Sequence, residues 1–402
     1  MRIIVVGGGA AGFFAAVNIA EKHPESEITI LEKTSKLLSK VKVSGGGRCN
    51  VTNGRSNPSE LVQFYPRGGK KLYSVFKTFS SNNMIEWLAE RGVETHVEDD
   101  LRVFPSSNSS QTIIDCFVNE SYRLGIKIQT NTSVKAIYYR TDYWVVLTSE
   151  GELEADKVIF TTGSSNQSLR ILTDLGLKQT PLAPSLFTFN IKDERIEDLP
   201  GVSFPEVKVR VVKSKLEETG PLLITHWGLS GPAVLKLSSW GALELKDLGY
   251  KFQILINFLP HLNQEEVRKT LQDLRTIHPK KLIKNQIPFD LPRRFWERLC
   301  SLTDVAEEQT CAEISKKQVN KLTEELSQGL YTVNGKSTFK DEFVTCGGIE
   351  LGEIDLKTFE CNRFSGLYLA GEVLDIDAIT GGFNFQACWS AGWLISEHIL
   401  NR

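Results

Sequence analysis

Hydrophobic positions fall in short blocks along this chain, and the first block is the most regular. Arg2 to Val6 is an apolar run rich in β-branched residues, which predicts a buried strand. Ala10 to Lys22 predicts a helix with small or apolar residues at Ala11, Ala15 and Ile19, stopping before Pro24, and Glu27 to Glu32 predicts a second strand. Lys70 to Arg91 and Gln111 to Leu124 follow with helical patterns. Lys127 to Asn131, Ser133 to Arg140, Tyr143 to Ser149 and Lys157 to Thr161 have strand patterns. Alternation of this kind implies a sheet covered on both faces. Past Pro181 to Pro184 the pattern turns mostly β, with runs at Phe187 to Ile191, Glu206 to Val212, Leu222 to Thr225 and Phe252 to Phe258. From Gln264 to Gln328 it is helical and charged, with Lys316 to Ser327 capped by Ser315 and ended by Gly329. Gly366 to Ala370 is again a buried-strand signal, and Phe383 to Leu400 predicts a long closing helix. The predicted organisation is an α/β domain interrupted by an insert with a β part and a helical part, the last sixty or so residues returning to complete the first domain.

Between the first strand and the first helix stand Gly7, Gly9 and Gly12 in G-x-G-x-x-G spacing, and Glu32 follows Gly12 by twenty residues at the end of the second strand. Gly7 permits a tight turn, Gly9 lets backbone approach a pyrophosphate, and Gly12 lets helix and strand pack closely. The helix N-terminus offers free N–H groups and partial positive charge to the phosphates. Glu32 is placed to accept hydrogen bonds from an adenosine ribose, and its charge would repel a 2′-phosphate. The strand, helix, second strand and acid around the glycines supply the context that the bare motif lacks.

Two further glycine loops carry candidate chemistry. In Ser44-Gly45-Gly46-Gly47-Arg48-Cys49-Asn50 the glycines can curl against a flat or anionic ligand, Arg48 adds charge, and Cys49 is expected as a packed thiol beside the ligand. In the segment from Ala370 to Asn384, a strand ends at Gly371-Glu372, Asp375 and Asp377 follow, and Thr380-Gly381-Gly382 opens the last helix. Carboxylates there suit ribityl or ribose hydroxyls, and the helix start suits negative charge developing on a ligand. His226, in Thr225 to Pro232, is a candidate proton donor, with Ser230 expected as cap of a helix begun at Gly231-Pro232. No second G-x-G-x-x-G follows Glu150, so one extended dinucleotide reached from both ends of the chain is expected, and FAD fits this better than NAD.

Composition narrows the classes. With 402 residues and a net charge of −2, there is no global pull toward nucleic acid or anionic membrane, and no apolar stretch is long enough to span a bilayer. Seven scattered cysteines without a C-x-x-C pair argue against disulfides and metal, and for a reducing cytoplasm. The N-terminus reads as a core strand rather than an export signal. The basic stretch Pro279 to Arg298 is expected as a solvated helical face rather than a nucleic-acid patch.

Four stretches carry a family resemblance: Val5 to Gly12, Ser44 to Asn53, Gly220 to Ser238, and Ala370 to Gln386. Together they resemble the bacterial NAD(P)/FAD-dependent oxidoreductases that include aminoacetone oxidase-like and BaiN-like proteins, within the glutathione-reductase-like flavoproteins. The resemblance implies FAD, a Rossmann-like domain over 1–186 and 342–402, a β-barrel-like insert over 187–262 and 329–341, and a helical subdomain over 263–328. It implies Gly7, Gly9, Ala11 and Gly12 at the pyrophosphate, Glu32 near the ribose, Val134 at the adenine through its backbone, and Lys33 and Lys40 among the cofactor-binding residues. It places Thr162 and Gly163 near the adenosine. Ser44, Gly45, Gly46, Arg48, Cys49, Gly371, Glu372, Asp375, Asp377, Gly382, Phe383 and Asn384 fall toward the flavin. The chain departs from the pattern at Ser164-Ser165-Asn166, at Ala378 and at Phe383, where relatives carry tyrosine. The expected activity is hydride transfer from NAD(P)H through flavin to a small acceptor with an activated C=C or C=O, His226 and Arg48 serving as proton donor and anion binder. An oxygen-using oxidase of a small amine or ketone and an RNA-modifying flavoprotein stay open, as do the nicotinamide donor and the oligomeric state.

Overall fold

The computed structural model describes residues 1–337 and 344–400. The chain divides into two units, Met1–Pro184 with Lys340–Arg402, and Ser185–Phe339. The expected boundary at 341/342 lies outside the described residues.

The first unit is built on a seven-stranded sheet. Its centre is five parallel strands in the order Leu367–Leu369, Lys157–Phe160, Arg2–Val6, Glu27–Leu31 and Lys127–Gln129. Short antiparallel strands Glu360–Cys361 and Ile354–Asp355 extend one edge. The apolar run of the first strand is explained by its place, since Ile3, Ile4, Val5 and Val6 are all buried with a neighbour on each side. The helix Ala10–Lys22 follows it, and the closing helix Phe383–His398 packs on that helix. Gly392 makes the approach: a Cβ there would stand 3.1 Å from the backbone nitrogen of Ala15. Phe14, Phe79, Trp87, Phe117 and Trp389 form one aromatic cluster around the crossing.

Where the pattern predicted one helix over Lys70 to Arg91, the structure has two, Tyr73–Thr78 and Ser81–Ala89. Ser80 interrupts the run because its side chain and that of Asn83 form a reciprocal cap that restarts the helix. A three-stranded sheet of Thr52–Asn53, Arg102–Pro105 and Thr95–Val97 braces the loop after the three glycines.

The second unit is an antiparallel β-barrel. Its strands run Gly329–Asn334, Lys251–Asn257, Ser203–Val211, Glu217–Thr225, Gly228–Ser230, Thr188–Asn190 and Lys336–Ser337. The first and last of these are one continuous run of chain, so pairing with Lys251–Asn257 at one end and Thr188–Asn190 at the other closes the ring. Val207, Val209, Val211, Ile254, Ile256, Tyr331 and Val333 alternate into its core. The helices Gln264–Ile277, Arg293–Leu302 and Lys316–Gln328 share that core, as Phe295 shows by packing 4.9 Å from Phe204 and 4.6 Å from Phe258. Ser315 caps the last of them in a reciprocal pair with Gln318. Ser230 does not cap the helix Pro232–Trp240. Gly231, at φ +94°, takes that position, and the Ser230 hydroxyl bonds Thr188 instead.

Candidate functional site

The opening cradle is set by contacts only glycine can make. A Cβ on Gly7 would lie 2.7 Å from the Thr161 carbonyl oxygen, and one on Gly12 would lie 2.2 Å from the Gly7 carbonyl oxygen. Thr161 ties the two strands by donating its hydroxyl to the carbonyls of Val6 and Gly7. Gly9 differs, for a Cβ there would meet no protein atom within 4 Å. No side chain caps Gly9 and no acid stands in the first turn, so the first amides of the helix face open space with their partial positive charge. Glu32 is fixed at the rim. One carboxylate oxygen accepts the Gly8 N–H at 3.0 Å, and the other accepts the Thr34 N–H and hydroxyl, each at 2.9 Å.

The C-terminal loop reaches this cradle. Gly371, at φ +78°, lies where a Cβ would be 3.3 Å from the Ala11 methyl and 3.4 Å from the Cys388 sulfur. Its neighbour Glu372 approaches Gly163 and pairs with Lys40. Lys40 is brought there by the Leu38 N–H bond to the Gly8 carbonyl. Gly7, Gly9, Ala11, Gly12, Glu32, Lys40, Thr162, Gly163, Gly371 and Glu372 thus meet around one crevice. Ser165, in the segment where the chain departs from its relatives, caps the helix Asn166–Asp174.

The second glycine loop docks on the start of the closing helix. Gly45, Gly46 and Gly47 all adopt positive φ, and Gly46 and Gly47 border open space. The Asn50 amide accepts the Gly382 N–H at 3.0 Å and donates to the Thr52 carbonyl at 2.9 Å. Thr52 donates to the Gln386 side chain at 2.6 Å, and Trp389 donates to the Val51 carbonyl at 2.8 Å. A Cβ on Gly382 would stand 2.3 Å from the Thr52 carbonyl oxygen, so this turn too requires glycine. Ser44 holds its own turn through a bond to the Val41 carbonyl. Cys49 is fully buried, and that burial pushes its thiol up to about 12, which makes it a packing group.

Several expected ligand-facing side chains have internal partners. Both carboxylate oxygens of Asp377 bind Arg67, and Asp377 is fully buried. The Asn384 side chain pairs with both backbone groups of Ala378, at 2.9 and 3.0 Å. Phe383 is buried in a stack on Phe64, and the Tyr65 phenol donates to its carbonyl at 2.6 Å. Burial holds that phenol well above its ordinary pKa. Asp375 is half-buried, and desolvation raises its carboxyl against the opposing effects of the Thr180 hydroxyl and Arg67. Arg48 pairs with Glu98 at 2.7 Å and lies over the Phe104 ring, and Arg102 shares the same carboxylate. Val134 is buried at the start of Val134–Tyr139, and Lys33 is exposed. His226 belongs to the other unit, where it is exposed with Trp227 at the turn between Glu217–Thr225 and Gly228–Ser230. Arg67, Tyr65, Phe64, Thr52, Gln386 and Cys388 were not singled out as functional by pattern. Each acts through a partner distant in the chain, which leaves no local mark.

FAD fits these residues on three grounds. The uncapped helix start offers donors to a pyrophosphate, a carboxylate fixed at the second strand end suits a ribose, and the Gly371-Glu372 loop closes on the crevice beside Ala11 and Gly163. A Rossmann-like sheet so equipped, its nucleotide crevice completed by the end of the chain, is that of an FAD-dependent oxidoreductase. Residues 1–398 match the model of the family described as HI0933-like protein Rossmann domain, and the chain belongs to that family. It is 27% identical to the 3-dehydro-bile acid Δ(4,6)-reductase of Clostridium scindens, covering 100% of this chain and 99% of that protein. It is 28% identical to the ribosomal RNA dihydrouridine synthase of Escherichia coli, covering 99% and 97% of the two chains. Among solved structures it resembles the 3-ketosteroid Δ4-(5α)-dehydrogenase of Rhodococcus jostii in fold, with TM-score 0.51, 12% identity and coverage of 98% of this chain and 96% of that one. The 3-ketosteroid Δ1-dehydrogenase of Sterolibacterium denitrificans gives TM-score 0.52 at 10% identity, covering 99% and 98%.

Proposed function

We propose that the chain reduces a carbon–carbon double bond conjugated with a carbonyl in a small organic acceptor, with NADH or NADPH as the source of the hydride. The observation that carries this reading is the end-to-end likeness to a Δ(4,6)-reductase. FAD, when bound, would supply the two-electron chemistry. The protein's part is to bind, orient and tune. The first-turn amides after Gly9 hold the pyrophosphate, Glu32 holds the ribose, and the Gly381-Gly382 helix start favours negative charge near it. We take the proton that completes the reduction from solvent water.

The reductase is tested by anaerobic photometry of the FAD-loaded protein. NADH or NADPH bleaches the flavin, and a conjugated enone restores its colour. Bleaching by a small amine, with neither nicotinamide effective, would make the protein an oxidase instead. A second reading rests on the relatives named for ribosomal RNA dihydrouridine, whose ring is also a conjugated double bond reduced. The basic stretch gives it little help. Arg293 pairs with Glu297 and Lys284 with Glu307, while Arg294 and Arg298 bond the backbone of Asp198 and Glu194. Recovery of flavin colour by ribosomal RNA and not by small enones would select that reading.

A further inference from the structure

The anion-binding role expected of Arg48 needs a free guanidinium, and Arg48 does not have one: Glu98 neutralises it. Seven residues on, Arg55 is held differently. It donates through one guanidinium nitrogen to the Asn53 side-chain oxygen at 3.1 Å, and its guanidinium carbon lies 4.8 Å from the centre of the Phe64 ring. Among the described residues no carboxylate pairs with it. A guanidinium has five N–H donors, so most of its capacity is unspent, and half-burial keeps part of its charge from water.

Its supports lead to the Gly381-Gly382 turn, where the proposed function puts the flavin. Asn53 donates its amide to the Gly381 carbonyl at 2.9 Å while accepting from Arg55. Phe64 stacks on Phe383 with ring centres 4.5 Å apart and planes 6° apart. The Phe64 carbonyl also accepts the Ile379 N–H at 3.0 Å. A cation is therefore fixed, by an amide and an aromatic stack, against the turn that opens the closing helix.

We infer that Arg55 is the specificity-determining group that holds the oxyanion of the acceptor, and this rests on the reduction proposed above. When hydride adds to the β-carbon of an enone, the π bond breaks and its electrons move onto the carbonyl oxygen. Protonation of the α-carbon then completes the product. Arg55 offers a charge-assisted donor to that oxygen, and would take an acceptor's carboxylate in the same way.

The test is titration of the oxidised, FAD-loaded protein with benzoate, read from the perturbed visible spectrum of the flavin. Benzoate binds saturably to the native chain. Arg55→Met weakens it about tenfold, the loss of one charge-assisted bond at a half-buried site, and Arg55→Lys recovers part of that. Benzamide, uncharged and of the same shape, changes less than about twofold. FAD content, measured on each variant, stays at the native level, and Arg55→Lys decides the matter if the methionine variant loses FAD. Equal benzoate affinity in the FAD-loaded variants, or no saturable response of the native protein to benzoate at about 50 mM, would overturn the inference. A loss confined to bleaching by NADPH and absent with NADH would give the guanidinium to the donor's phosphate and would also overturn it. Intact benzoate behaviour with no enone able to reoxidise the protein strikes the proposed acceptor and spares Arg55.

Discussion

Two glycines three residues apart make opposite predictions when changed to alanine. At Gly12 the new methyl would fall 2.2 Å from the Gly7 carbonyl oxygen and 2.7 Å from the Thr161 hydroxyl. The nearer atom is backbone, in the turn that follows the strand Arg2–Val6 and is tied to Leu31 by the Gly7 N–H, so an overlap of roughly 1 Å must be relieved by moving the helix. That places Gly12→Ala near the upper end of the overpacking range, about 3 kcal/mol, or a fall in melting temperature of roughly 6–12 °C for a domain of this size. At Gly9 the methyl meets no protein atom within 4 Å, and φ there is −100°, which any residue accepts. Replacing a glycine cap by alanine costs roughly 0.5–1 kcal/mol, because alanine ranks well below glycine at that position. Gly9→Ala should therefore leave the FAD-free protein within about 4 °C of the native melting point. The open space is assigned to the pyrophosphate, so the same methyl should weaken FAD binding at least tenfold, about 1.4 kcal/mol. Circular dichroism melts of the FAD-free proteins and FAD titrations by fluorescence quenching measure both quantities. Native FAD affinity in Gly9→Ala, or native stability in Gly12→Ala, would refute the reasoning.

Other expectations follow from the buried charges and thiols. Arg67→Met strands the fully buried carboxylate of Asp377 and should cost about 3–5 kcal/mol in urea unfolding, much of it recovered in the Arg67→Leu, Asp377→Leu double variant. Asp375 has a carboxyl raised by desolvation, so the folded state binds its proton more tightly than the unfolded chain does. Stability on its account falls as pH rises from the ordinary value of 3.8 through the raised one, and Asp375→Asn should remove that decline from stability–pH curves. Cys49, buried and with its thiol pushed up to about 12, should resist iodoacetamide at pH 8 until the protein unfolds, as peptide mass mapping would report.

The fingerprint was legible because its physics is local. Strand, glycines, helix and Glu32 lie within thirty-two residues, and each residue's job depends on near neighbours. The closing helix was equally plain, since the segment Phe383–His398 is buried on nearly every side. The strand Thr52–Asn53 had no periodicity to show, being two residues long and defined only by Arg102–Pro105 across from it. Arg67 sits in a proline–glycine turn that reads as exposed, and only the fold brings Asp377 to it from 310 residues away. Asn384 and Asp377 looked like ligand groups because carboxylates and amides beside glycines suit a ribityl chain. Their actual partners, the Ala378 peptide and Arg67, serve to stiffen the same loop. Ser230 lost its expected role to Gly231 because it ends the strand Gly228–Ser230, which leaves Gly231, at φ +94°, in the cap position.

The central claim is that the opening glycine cradle and the closing Gly381-Gly382 turn enclose one FAD. Its most direct test is the visible spectrum of the folded protein after saturation with FAD and removal of the excess by gel filtration. A flavin spectrum at one FAD per chain, abolished in a folded Gly382→Val variant whose side chain would drive into the Thr52 carbonyl, is the predicted result. A folded native protein that emerges colourless would contradict it.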